Sequence, residues 1–268
     1  MKEKNDKIGF IGAGKMGTAI MKGIIESGFL PKESIYFYDL NKDTLKCTKK
    51  NLKINACETL EELMAMSSIV LIATKPFVAD NVLDSIKDKV RNHLIISIMA
   101  GVSTKKMETK LPNTRIVRVM PNTPALINEG MSAICGGKYA YEYDIEWTLE
   151  LFSKLGKAIK VDEKNIDIVT AISGSGPAFF YYFIDKIALA GKKLGLDYET
   201  CLELASQTAI GSANMIMKSG ESPQKLIENV TTPGGCTEVG NNILINSKVE
   251  DILFKTIKRT MEKAKKLG

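Results

Sequence analysis

Two short glycine-bearing stretches carry the residue types able to do chemistry. Near the start of the chain, "GFIGAGKMGTAI" places Gly12, Gly14 and Gly17 in a G-x-G-x-x-G spacing, after the strand-like run Lys7–Ile11 and at the opening of a helix-like segment. Gly12 allows a tight turn, Gly14 the close approach of a pyrophosphate, and Gly17 close packing of helix on strand. The free N–H groups at the helix start, with Lys15 and Met16 among their owners, favour phosphates together with the helix dipole. Asp39 closes the next strand-like run 22 residues beyond Gly17, where a dinucleotide-binding fingerprint expects an acid for the ribose. A glycine turn that merely packs, or one that binds another nucleotide-like ligand, is the competing reading, and Asp39 weighs against it. A carboxylate here hydrogen-bonds the 2′-hydroxyl of NAD and repels the 2′-phosphate of NADP. Lys42 softens that repulsion, so NADH is expected over NADPH, though either is a candidate.

The second stretch, "ENVTTPGGCTEVGN" (Glu228–Asn241), puts a Pro, two adjacent Gly and a run of hydroxyls into a region that otherwise reads as helices. By itself it is as well explained by a helix–helix connector. The single histidine, His93, lies just before a strand-like run and so at the edge of a sheet opposite to where ligands bind; a surface or structural role is expected for it. Hydride transfer to a carbonyl usually needs a proton donor such as His or Lys. A protonated imine already carries the charge that hydride neutralises, so hydride transfer to C=N suits a site of hydroxyls and backbone amides.

The elements that must hold these stretches follow from the apolar pattern. Short runs rich in Ile and Val, at Lys7–Ile11, Ile35–Tyr38, Ile69–Ala73, Leu94–Ile98 and Arg115–Met120, lack clean alternation, as strands buried on both faces do. Helix-like segments such as Met16–Ser27, Thr59–Met66 and Val78–Lys89 separate them, which predicts a doubly wound parallel sheet with right-handed crossovers. Strands near Met131–Cys135 and Ala158–Val161 are expected to complete it. From about residue 162 strand signals stop. Helices are predicted from Pro177 to a stop at Gly195, then over Tyr198–Lys218, Pro223–Glu228, Thr237–Ile245 and Lys248–Lys266. The first of these is apolar almost all round through Phe179–Phe183; a partner subunit and the chain's own N-terminal domain are equally available to cover it.

A chain of 268 residues accommodates two domains, divided here as 1–162 and 163–268. The net charge of +6 is nearly all lysine, and phosphate-reading surfaces favour clusters with arginine or aromatics, so no nucleic-acid partner is expected. The five cysteines are scattered singly, which fits neither a disulfide framework nor a zinc site, and no metal is expected. No apolar run reaches the length of a membrane span, and the chain runs from charged residues straight into a strand without a signal-peptide pattern. No membrane association and a cytoplasmic location are the expectation.

Taken together and in order, "GFIGAGKMGTAI", "ATKP" (Ala73–Pro76), "SIMAGVS" (Ser97–Ser103), "RVMPNTPALINEGMSAI" (Arg118–Ile134), "SGSGPAFFY" (Ser173–Tyr181), "AGKKLGL", "ASQTAIGSANM" and "VTTPGGCTEVG" resemble pyrroline-5-carboxylate reductases across essentially the whole chain. The resemblance implies NAD(P)H-dependent reduction of 1-pyrroline-5-carboxylate to L-proline, the last step of proline biosynthesis. It implies an α/β fold: a Rossmann-type domain followed by an all-helical dimerisation domain that interlocks with a second subunit, with dimers assembling further into rings. It also implies roles. Gly234 and Gly235 let backbone amides approach the substrate carboxylate, Thr232 shapes that pocket, and Thr237 hydrogen-bonds the ring nitrogen and helps protonate it. Ser175, in the Ser173–Gly176 run, approaches the substrate. Lys75 with Pro76, Ala100 with Gly101, and Met120 with Pro121 and Asn122 line the nicotinamide and its ribose.

Three departures from the family pattern stand out. Cys236 replaces a frequent Thr or Ala, Glu238 and Asn241 replace positions that are frequently apolar, and no asparagine near Thr59–Leu60 matches the family's adenosine-ribose contact. Reduction of another cyclic imine carboxylate is an alternative function. A non-catalytic dinucleotide-binding paralogue is another, which loss of Thr237 or of the Gly234–Gly235 pair would have favoured.

Overall fold

The computed structural model describes residues 6–266; the charged opening residues read above and the last two residues lie outside them. Each apolar run of the N-terminal half needs cover on two faces, and a single sheet provides it. The strands are β1 (Ile8–Ile11), β2 (Ile35–Tyr38), β3 (Asn55–Ala56), β4 (Ile69–Ile72), β5 (Leu94–Ser97), β6 (Arg115–Met120), β7 (Gly130–Gly136) and β8 (Gly156–Lys160), in the spatial order β3-β2-β1-β4-β5-β6-β7-β8. The chain runs outward from β1 to β3, then crosses back to lay β4 on the other side of β1, with Ile8 in register with both Ile35 and Ile69. The order therefore reverses beside β1, and ligands of open α/β sheets bind at that reversal, beyond the carboxyl ends of the strands.

Alternation along β4 explains its uninterrupted apolar sequence. Ile69 and Leu71 join the core on one face, while Val70 and Ile72 join the core on the other. The first core packs α1 (Lys15–Glu26), through Ile20, Met21 and Ile24, and α6 (Glu142–Ser153), through Leu151 and Phe152. The second packs α3 (Leu60–Met66), α4 (Ala79–Ile86) and α5 (Thr104–Lys110), through Leu63, Leu83, Ile86 and Met107. Remaining in this half are α2 (Lys42–Leu52), α7 (Ile166–Val169) and a π turn over Thr170–Gly174.

The sheet is parallel, as a doubly wound fold requires, except at one pair. β7 runs antiparallel to β6, with Val119 opposite Ile134. The link 121–129 holds only a 3-10 turn at Thr123–Ile127, and a parallel return needs a crossover of about a dozen residues or more. β8 then pairs parallel with β7. Glu163 ties the segment after β8 back to the sheet: it accepts from the Thr104 N–H (2.6 Å) and hydroxyl and pairs with buried Arg118 at 3.2 Å. Burial, and secondarily the nearby Glu163 charge, pushes the Cys135 thiol up to about 12.

The chain divides into two compact units, one comprising residues up to Ser175 together with those from Arg259, the other Gly176–Lys258. The second unit is helical: α8 (Gly176–Lys193), α9 (Tyr198–Lys218), α10 (Pro223–Val230), α11 (Cys236–Asn246) and the first part of α12 (Val249–Lys265). Gly195, at φ +106, ends the turn after α8 as its position predicts. Phe180, Tyr181, Tyr182 and Phe183 on α8 are exposed in the single chain, as are Met215 to Met217 on α9 and Ile243 to Ile245 on α11. An apolar surface of that extent marks an interaction face. No helix among the described residues is long and apolar enough to cross a membrane.

Candidate active site

Five strand ends build one edge of the sheet. β1 ends in the glycine loop, where Gly12 sits at φ +100 and an added Cβ would lie 3.0 Å from the Ala73 carbonyl oxygen, so a side chain is excluded on both counts. Its N–H donates to the Tyr38 carbonyl at 2.9 Å. Gly14 takes the N-cap position of α1 without any side-chain cap, and nothing lies within 4 Å of where its Cβ would be. The first-turn amides of α1 have no partner within the helix. With Gly14 and Lys15 exposed and Met16 half-buried, that helix start is shaped to receive an anion. Gly17 packs against the Gly12 carbonyl, where a Cβ would stand 2.5 Å away.

Asp39 follows β2 and braces this loop directly. Its Oδ2 accepts from the Ala13 N–H at 2.8 Å and its Oδ1 from the Asn41 N–H at 2.9 Å. A cavity of about 280 Å³ opens beside it, walled by the apolar side chains of Leu40, Leu60, Val78 and Val82 and reaching Gly12 and Thr74. Mostly apolar walls with a carboxylate at the rim fit a flat heteroaromatic ring bearing a hydroxylated sugar. These wall residues were not singled out in the sequence. The available signals were Leu40, an apolar residue directly after the acidic one, and the Thr59–Leu60 position noted above for the family's adenosine-ribose contact.

Lys75 and Pro76 follow β4, with Lys75 exposed at the N-cap of a 3-10 turn that Pro76 opens. Ala100 and Gly101 follow β5, Met120 ends β6, and Asn122 lies two residues beyond it. Asn122 accepts from the Met131 N–H at 2.8 Å and donates to the Ser173 carbonyl and hydroxyl at 3.2 and 3.3 Å. The structure thus brings the glycine loop, Asp39, Lys75–Pro76, Ala100–Gly101 and Met120–Asn122 to one edge, with Ser175 closing the turn that Asn122 holds. His93 is at the opposite edge, buried, accepting from the Arg91 N–H at 2.9 Å through Nδ1 and bonded through Nε2 to the Met64 carbonyl at 3.0 Å. Its role is structural.

Thr232, Gly234, Gly235 and Thr237 belong to the helical unit. Gly234 adopts φ +74, which favours glycine, while a Cβ on Gly235 would strike the Thr232 hydroxyl. The Gly235 N–H donates to the Thr232 carbonyl at 2.9 Å, closing the turn that starts α11. Thr237 is exposed at the second position of that helix. Glu238, one of the departures noted above, swings back so that its Oε2 accepts from the Gly234 N–H at 2.8 Å. A carboxylate therefore already sits on one amide of this loop. Asn241, the other departure, donates to the Thr231 hydroxyl at 3.2 Å. Cys236 is an exposed free thiol. Among the described residues no group of three or more His, Cys, Asp or Glu is placed to hold a metal ion.

Comparison with known proteins bears on what this arrangement does. Residues 163–267 match the family described as pyrroline-5-carboxylate reductase dimerisation, and residues 7–101 match one described as NADP oxidoreductase, coenzyme F420-dependent. The chain is 38% identical over 267 residues to a pyrroline-5-carboxylate reductase of Methanosarcina acetivorans, covering 99% of each chain. It is 35% identical over 260 residues to pyrroline-5-carboxylate reductase 2 of Bacillus subtilis, covering 96% of this chain and 94% of that one. Among solved structures it resembles a Plasmodium falciparum pyrroline carboxylate reductase with NADP bound, at a TM-score of 0.90 and 36% identity with both chains fully covered.

Proposed function

The chain belongs to the pyrroline-5-carboxylate reductase family, and from that premise we propose how its residues divide the work of reducing 1-pyrroline-5-carboxylate to L-proline, the last step of proline biosynthesis. The enzyme is an NAD(P)H-dependent oxidoreductase acting on a CH–NH group, and it works as a homodimer. The bound nicotinamide supplies a hydride for the imine carbon. Everything else is the task of side chains and amides.

The observation that carries the division of labour is the shared edge: five strand ends, each bearing residues the family resemblance singles out, converge where the strand order reverses. Gly12, Gly14 and Gly17 keep the backbone clear for the pyrophosphate, which the amides of Lys15 and Met16 hold. Lys75, Pro76, Ala100, Gly101 and Met120 line the nicotinamide and its ribose. In the helical unit, Thr232 and the glycine pair shape a pocket for the substrate carboxylate, which takes over the Gly234 amide from Glu238. Ser175 approaches the substrate. Thr237 hydrogen-bonds the ring nitrogen and steers its proton, so that charge leaving the iminium is met by a fixed donor.

The preferred cofactor is NADH. Asp39 supports this, because its carboxylate faces the place of the adenosine ribose and would oppose a 2′-phosphate. The Plasmodium relative holds NADP, and the Asp39 bond to Ala13 gives the carboxylate a structural task in either case. The working division of the chain falls at 162/163, where the dimerisation family begins to match. The exposed apolar faces of α8, α9 and α11 support an interlocked dimer, and dimers build a higher ring. The enzyme acts in the cytoplasm.

The test is oxidation of NADH and of NADPH, followed optically, with 1-pyrroline-5-carboxylate as substrate. A higher kcat/KM for NADH upholds the role given to Asp39; a higher value for NADPH overturns it. Comparison with the six-membered cyclic imine sets the substrate range, and sedimentation sets the ring.

A further inference from the structure

Asn122 occupies the N-cap position of the 3-10 turn Thr123–Ile127, yet its side chain makes no cap bond to that turn. An N-cap side chain reaches the second and third amides of its turn; here the second belongs to Pro124, which has no N–H, and the Ala125 N–H donates to the Asn122 carbonyl at 3.2 Å. Here the side chain is spent on long-range partners: Oδ1 on the Met131 N–H at the start of β7, and Nδ2 on both oxygens of Ser173. Both ends of the side chain therefore serve tertiary contacts.

Its partner segment is unusual as well. Thr170–Gly174 is a π turn, in which the Ser175 N–H reaches back five residues to the Thr170 carbonyl at 2.8 Å. Such turns are rare and cluster at functional sites. A second contact backs the first: a Cβ on Gly174 would run into the Met120 methyl, so the turn lies directly on the side chain of the same strand-end loop.

We propose that Asn122 is a positioning residue: it latches the Met120–Asn122 loop to the π turn and so fixes where Ser175 stands relative to Met120, without itself binding the cofactor. The family resemblance gives Asn122 a cofactor contact; the latch gives it a different task. This rests on the reading of Met120 as a neighbour of the nicotinamide and of Ser175 as a substrate residue.

Asn122→Asp tests it. The variant keeps an acceptor for the Met131 N–H but sets a carboxylate oxygen against the Ser173 carbonyl. Expected are equilibrium affinities for NADH and NADPH within about twofold of wild type, an imine KM raised about tenfold, and faster hydrogen exchange at the Ser175 amide. Ser173→Ala, which removes only the hydroxyl partner, moves the imine KM and the exchange rate in the same direction by less, and it decides the matter alone if the first variant does not fold. A tenfold or greater loss of cofactor affinity with unchanged exchange at the turn overturns the latch in favour of a cofactor ligand. Unchanged exchange and unchanged imine KM in both variants overturns it outright. Should the wild-type chain fail to turn over the imine, the family reading fails, while exchange and cofactor affinity still judge the latch.

Discussion

The two glycine loops of this chain are given the same formal job in the proposed mechanism, opening a helix toward an anion, and they are built differently. The Gly12–Gly17 loop is braced from three sides by its own unit: β1 delivers it, Asp39 holds Ala13, and the Ala73 carbonyl leaves no room for a side chain on Gly12. The Thr232–Thr237 loop is braced by residues close to it in the chain. Gly235 bonds to Thr232 and Gly234 to Glu238, all within one turn of chain, and most of the loop is exposed. The first loop is complete in one chain, whereas the second stands in a helical unit whose large apolar faces await a partner. The contacts that hold the first are long-range in sequence; those that hold the second are local.

Substitutions that exploit this contrast range widely in expected effect. Gly12→Val imposes backbone strain of about 1–3 kcal/mol plus a collision with Ala73, and cofactor affinity should fall more than about 10²-fold. Fluorescence titration with NADH reads it, and a change below threefold would detach the loop from the cofactor. Thr237→Ala should cost about 10²-fold in turnover, with cofactor affinity unaltered, because in the proposed mechanism the lost bond forms to the reacting nitrogen. Near-normal turnover there would remove Thr237 from the mechanism. Gly234→Ala meets no neighbour within 4 Å. Only its positive φ opposes the change, a penalty of about 1 kcal/mol, so the imine KM should rise roughly fivefold. An effect as large as that of Gly12→Val would mean that the second loop is as tightly enclosed as the first. The smallest expected change runs the other way. Glu238→Ala frees the Gly234 amide from an exposed competing carboxylate, and the imine KM should fall about two- to threefold. A rise in KM would show that Glu238 organises the loop and does not compete with substrate.

Much of the first unit was legible in the sequence because its constraints are local or one-dimensional. Strands buried on both faces are rich in Ile and Val without clean alternation, and β1, β2, β4, β5 and β6 read that way despite Arg115 and Arg118 in β6. The bounds of α9 came out as read, Tyr198–Lys218, since Asp197 caps its start by accepting from the Thr200 N–H. Two residues of pattern, Asn55–Ala56, are too few to announce β3. The direction of β7 was not legible because apolar residues mark a strand without pointing it; the length of link 121–129 does the pointing. Glu238 stood out as a departure in the sequence, but its bond to Gly234 depends on the backbone turning at φ +74.

By itself, the sequence determined the family and marked the glycine loop after β1, because glycine spacing, a following acid and a set of ordered motifs are properties of neighbouring residues. Only the tertiary structure decided which distant groups meet. Asn122 finds Ser173 across 51 positions, and Leu40, Leu60 and Val78 wall one cavity from three separate segments. Such contacts depend on loop closure and on the faces that packed helices present, and no short window of residues encodes either.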